Sequence, residues 1–130
     1  MRAMQIFLGV SAAVWLSYGL FCFAQPGFLS EAAGVTANTA TAGAELRAMY
    51  GGLQAAIGCL MLAAIFRPGL RGTALVTLLF LCSGLALGRL GGALLEAGFS
   101  PYTTIGLGFE ITSAGLALFF LRRTPGLVPA

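Results

Sequence analysis

The chain contains no lysine, no histidine and no aspartate among its 130 residues. Each absence removes a class of chemistry. Without lysine there is no Schiff base to retinal or pyridoxal phosphate. Without histidine, a haem, a di-iron centre or a typical zinc site loses nearly all of its usual ligands. The three cysteines, Cys22, Cys59 and Cys82, lie inside apolar runs with no paired spacing. They read as small buried hydrophobes, not as a disulfide framework or metal set. No cofactor is expected. Charge of either sign is scarce, at 8% of residues, where a soluble domain carries about 25%.

What is present is apolar. Hydrophobic residues make up 58% of the chain, with a mean hydropathy of +0.94. Such a chain cannot cover itself with polar surface, so lipid has to be its solvent. A net charge of +3 and a pI near 9.1 would fit a nucleic-acid binder. The arginines, however, stand singly or in pairs at the ends of apolar runs and form no basic stripe, so no nucleic-acid partner is expected.

Four apolar stretches, at about residues 3–24, 45–66, 73–95 and 102–121, each approach the ~20 residues that a spanning helix needs. Gln25-Pro26-Gly27, Arg67-Pro68-Gly69 and Gly98-Phe99-Ser100-Pro101 break them apart. The fold class expected is all-α, an integral membrane four-helix bundle, antiparallel up-down-up-down, within a single transmembrane domain over residues 1–130. The last two links are too short for anything but antiparallel neighbours. The first link, residues 25–44, is long, and its run Thr36-Ala37-Asn38-Thr39-Ala40-Thr41 is small and polar, suited to a mobile segment or a lid. The first stretch read as a cleaved signal peptide is the alternative, but its apolar core exceeds the usual length.

Arginine sets the orientation. Arg2, Arg67, Arg71, Arg122 and Arg123 fall at the N-terminus, the second link and the C-terminus, while the first and third links carry Glu31 and Glu96. That pattern puts both termini on the cytoplasmic side, with the flanking charges in water. Small residues at four-residue spacing mark packing faces: Gly9, Ala13 and Ser17; Gly84, Gly88 and Gly92; and Gly106, Glu110, Ser113 and Ala117.

Four charges remain inside the apolar stretches: Glu45, Arg47, Arg89 and Glu110. Counted along helices at about 1.5 Å per residue, all four lie in the outer half of the bilayer. Tyr50 and Gln54 share a helical face with Arg47, and Tyr18, Thr103 and Thr104 reach similar depth. An ionised group there costs several kcal/mol, of order 3, unless it is paired or hydrated. Two Arg and two Glu balance, and Arg89 with Glu110 is the expected pair. The cluster reads in two ways: as a lock between helices, or as the lining of a cavity that receives a polar head.

The run Glu45-Leu46-Arg47-Ala48-Met49-Tyr50-Gly51-Gly52, followed by Gly88-Arg89 and Glu110, resembles a family of small four-helix bacterial membrane proteins classed as a domain of unknown function. The resemblance spans most of the chain and implies a multi-pass protein of the bacterial inner membrane. It implies no activity, substrate or cofactor. In architecture it is loosely similar to DoxX-type proteins, by analogy only.

Three functions follow from these features. The first is binding of a lipid-like or hydrophobic small molecule by Glu45, Arg47, Tyr50, Gln54, Arg89 and Glu110. The second is a membrane isomerase or cyclase with Glu110 as acid or base. The third is an accessory or assembly subunit, in a homo-oligomer or larger membrane complex, docking through its glycine faces. Membrane lipids are partners in each. The orientation is open to test by an impermeant thiol reagent on intact cells: a cysteine placed at Thr36 should be labelled from outside, and one at Thr124 only after permeabilisation.

Overall fold

The structure, a computed structural model, describes residues 2–124 and 126–127. Every regular element among them is helical. Two compact units make up the chain, Met1–Phe66 and Arg67–Ala130, and each is built on one helical hairpin. The first contains α1 (Arg2–Ala24), the short α2 (Phe28–Ala33) and the long α3 (Ala40–Phe66). The second contains α4 (Arg71–Leu95), entered through a 3₁₀ turn at Pro68–Leu70, and α5 (Pro101–Arg123). Four helical segments, Arg2–Ala24, Ala40–Phe66, Pro68–Leu95 and Pro101–Arg123, are long and apolar enough to cross a membrane. Large apolar side chains stand outward on them, Phe80 at 74% and Leu95 at 87% exposure, a surface suited to hydrocarbon and costly in water.

The helix ends follow from local sequence. Thr39 caps α3 by accepting a hydrogen bond from the Ala42 amide at 3.1 Å. Ser100 does the same for α5 from the Thr103 amide, with Pro101 in the first turn. Helix α2 stops at Gly34, whose φ of +69° is open to glycine at no steric cost. Helix α4 ends with Ala97 at φ +51°, the left-handed position that glycine usually fills. The run 34–38 that follows α2 is irregular, and α3 starts at Ala40, where the apolar pattern placed the start at residue 45. The threonine cap and the helix-forming alanines extend it upstream.

In the first unit the contacts Gly9 with Ile65, Leu16 with Gly58, Gly19 with Ala55 and Phe23 with Gly51 run in opposite directions along the two helices. Helices α1 and α3 are therefore antiparallel. Their seam is held by glycines. A methyl group on Gly58 would lie 2.5 Å from the Leu16 amide nitrogen, and one on Gly19 2.4 Å from the Ala55 nitrogen. Close approach of backbones is how helices associate where no hydrophobic drive exists between them. The small residues nominated on α1 were Gly9, Ala13 and Ser17, but Ala13 and Ser17 are exposed. The face buried on α1 is instead Met4, Leu8, Ser11, Trp15, Gly19 and Cys22, at steps of three or four.

A second departure lies within α3. Residues Arg47–Gly52 form a π turn, one residue wider than an α turn. It ends where Gly51 meets Phe23, with a methyl there 2.8 Å from the Phe23 Cβ.

The second unit buries Leu75, Leu78, Cys82, Ala86 and Ala93 on α4, and Glu110, Ser113 and Ala117 on α5. Spacing of three and four again brings the helices together along one stripe. On α4 the glycines Gly84, Gly88 and Gly92 are exposed, with open space where a side chain would go. Arg71, expected in water, is buried at 5% exposure in the first turn of α4. Two substitutions separate packing glycines from others. Gly58→Val should destabilise the protein by about 1–3 kcal/mol or more through overpacking, read by unfolding in mixed micelles, whereas Gly84→Val should leave stability nearly unchanged.

Candidate functional site

Arg89 and Glu110 meet across the second hairpin. The guanidinium donates from Nε to Oε2 at 3.0 Å and to Oε1 at 3.1 Å, and from Nη2 to Oε1 at 2.7 Å. Both carboxylate oxygens are engaged. The Glu110 side chain is 4% exposed and that of Arg89 26%. At ~1.5 Å per residue, Arg89 lies roughly 9 Å from the Leu95 end of α4, and Glu110 roughly 14 Å from the Pro101 end of α5. The pair therefore sits inside the apolar length of both helices, where each charge alone would be expensive.

Neighbours shape the pair. A methyl on Gly106 would lie 3.0 Å from the Arg89 Cζ, so a side chain there would push the guanidinium by a few tenths of an ångström. The Tyr102 ring stands 5.8 Å from the Arg89 Cζ, within cation–π range. Deeper along the hairpin, about two turns from Arg89 on α4 and one from Glu110 on α5, the Cys82 thiol meets the Ser113 hydroxyl, both buried. Thr103 and Thr104, expected to join the polar cluster, serve the start of α5 instead. Thr103 pairs with Ser100, and Thr104 donates to the Ser100 carbonyl at 3.0 Å.

In the first unit, Arg47 opens the π turn. Its Nε donates to the Phe23 carbonyl at 3.1 Å, near the end of α1. A cation at that end is favoured by the helix dipole and satisfies a carbonyl the helix leaves open. No carboxylate pairs with Arg47 among the described residues. It lines an open groove of about 690 Å³ between the first link and the start of α3. Ser30, Thr36, Asn38 and Thr39 give the groove polar walls, and Pro26, Val35 and Leu46 apolar ones.

The remaining nominated residues do not line this groove. Glu45 is exposed, and Tyr50 and Gln54 are half-buried further along α3. Three-and-four counting from Arg47 to Gln54 assumes an α-helix, and the π turn between them breaks that count. Tyr18 lies on α1 beside the Cys22 thiol. The structure thus joins Arg89 to Glu110 in one unit and sets Arg47 on a groove in the other. The groove's loop residues are not among the site residues expected from the sequence, although the run Thr36–Thr41 stands out there as a mobile segment or a lid. Their signal was polarity in an otherwise apolar chain.

Four membrane-capable helices, a buried ion pair and a polar groove at helix ends define a small polytopic α-helical membrane protein. Within that class the chain belongs to the family described as Domain of unknown function (DUF4345), which matches residues 3–121. Membership in an uncharacterised family, expected from the Glu45–Gly52 run, thus holds. No curated protein and no solved structure matches the chain.

Removing one partner of a buried pair strands the other, at about 3–5 kcal/mol. Arg89→Gln and Glu110→Gln should each destabilise the protein by roughly that amount in mixed-micelle unfolding. The double variant Arg89→Met, Glu110→Leu should lose less than either single one, because neither charge is left behind.

Proposed function

We propose that this protein, placed in the bacterial inner membrane with its arginine-rich ends cytoplasmic, holds an amphipathic, lipid-like small molecule by its polar head. The head sits in the groove at the loop end of the first hairpin. One observation carries the reading: Arg47 is a cation at the edge of an apolar frame, on a groove of about 690 Å³, with no carboxylate partner among the described residues. Ligand sites are commonly apolar concavities with a few convergent polar groups. A guanidinium offers donors only, so the head it favours is acidic or rich in acceptors. Phe23, whose carbonyl holds the Arg47 Nε, is itself 54% exposed. An apolar surface for a tail therefore begins beside the cation.

The role of the nominated cluster divides accordingly. Arg89 and Glu110 act as the lock of the second hairpin, and Arg47 as the binding group. Glu110 as the acid or base of an isomerase is the weaker reading, since both of its oxygens accept hydrogen bonds and almost none of its surface is open. An accessory-subunit role draws support from the exposed Gly84, Gly88 and Gly92 of α4, where a second helix would find no side chain in its way.

Native mass spectrometry of gently extracted protein separates these readings, because it reports retained ligand and chain number together. The wild type should carry a small-molecule adduct. Its occupancy should fall at least about tenfold in Arg47→Gln, the loss expected for a charged hydrogen bond of about 1.5–3 kcal/mol. Arg47→Lys should retain part of it. Equal adduct on wild type and Arg47→Gln, or none on either, would overturn the proposal, and a ligand-free oligomer would favour the subunit role.

A further inference from the structure

The second hairpin carries its remaining basic charge at one end. The contacts of Arg89 with Glu110 and of Cys82 with Ser113 run in opposite directions along α4 and α5, so the C-terminus of α5 lies at the N-terminus of α4. Arg67, just ahead of the 3₁₀ turn, and Arg122 and Arg123, in the last turn of α5, therefore share that end, and all three are exposed. The acidic residues of this half of the sequence lie elsewhere. Glu110 is held by Arg89, and Glu96 is at the opposite end of α4. Among the described residues of this unit, no acidic side chain offsets the three arginines locally.

Arg123 is also positioned. Its Cζ stands 4.6 Å from the centroid of the Phe119 ring, a ring 44% exposed and itself edge-on to Phe120 at 5.3 Å. An outward aromatic one turn inside a terminal arginine marks the depth at which hydrocarbon gives way to headgroups. Stacking on the ring orders the guanidinium there at little further entropic cost.

We infer that this end of the second hairpin is a binding surface for anionic phospholipid headgroups, with Arg67, Arg122 and Arg123 as the contacts. The phosphate oxygens of such a lipid accept from guanidinium groups, and a further negative headgroup charge distinguishes it from a zwitterionic lipid. The chains lie along the apolar faces that the helices already turn outward. This surface uses none of the residues that line the Arg47 groove.

Competition between lipids in native mass spectrometry tests the inference. Purified protein in detergent is titrated with phosphatidylglycerol and phosphatidylcholine of matched chains. The wild type should retain phosphatidylglycerol in preference, with each arginine contributing about fivefold, as ~1 kcal/mol per basic residue at a membrane surface implies. The preference should disappear in Arg67→Gln, Arg122→Gln, Arg123→Gln. It should survive in the matching triple lysine variant, which keeps the charge but not the planar stacking group. High salt should weaken it. Arg47→Gln should leave it unchanged, which separates this surface from the proposed groove. Equal retention of the two lipids by the wild type would overturn the inference, as would undiminished preference in the glutamine variant. Displacement by glycerol 3-phosphate at concentrations equal to the lipid would overturn it too, since the site would then read a soluble anion.

Discussion

A charged side chain in hydrocarbon must be answered by its opposite, and the Arg89–Glu110 pair is the answer around which the second hairpin is arranged. Three hydrogen bonds of 2.7–3.1 Å hold it. Glycine at position 106 gives the guanidinium room between α4 and α5, where a methyl would press on the Arg89 Cζ at 3.0 Å. One face of α5 is then small or polar throughout, through Gly106, Glu110, Ser113 and Ala117. Slipping the register by a single turn would expose two unpaired ions to lipid, a penalty far larger than packing differences of the same displacement. The antiparallel pairing that this register fixes in detail gathers Arg67, Arg122 and Arg123 at one end.

The first hairpin solves the same problem without charge. Its helices approach through Gly19, Gly51 and Gly58, with backbone atoms close enough that no methyl fits. The π turn at Arg47–Gly52 adjoins this seam. Beyond it, Arg47 is left outside the apolar contact, tied by one bond to the Phe23 carbonyl and facing the groove. The contrast between the arginines is informative: Arg89 is neutralised by a carboxylate, and Arg47 meets none among the described residues. A binding role falls more naturally to the second than to the first.

Much of the fold could be read from the sequence because lipid imposes few and strong rules. Apolar length, proline–glycine breaks and terminal arginines delimited four helices, and the need to pair buried charge singled out Arg89 with Glu110. Two things escaped. The glycines of the first seam could not be told from the exposed ones, since Gly58 and Gly84 look alike until a partner helix is beside one of them. The π turn was also hidden, because Arg-Ala-Met-Tyr-Gly-Gly is unremarkable as α-helix, and so Tyr50 and Gln54 were assigned to the wrong neighbourhood. At the α4 entrance, Arg71 followed the rule for flanking arginines by position yet is buried. In the candidate site the Arg89–Glu110 pair was therefore legible, and the register of Tyr50 and Gln54 against Arg47 was not.

The central claim is that Arg89 and Glu110 form the internal lock of the second hairpin, while Arg47 makes no ion pair among the described residues. Solid-state NMR on protein in lipid, with arginine nitrogen and glutamate carboxyl carbon labelled, measures this directly. A single strong Arg–Glu dipolar coupling is predicted, consistent with Nε to oxygen distances of 3.0 and 3.1 Å, and it should vanish in Glu110→Gln. A coupling that survives that substitution, placing Arg47 or another arginine on a glutamate, or no coupling in the wild type, would contradict the account.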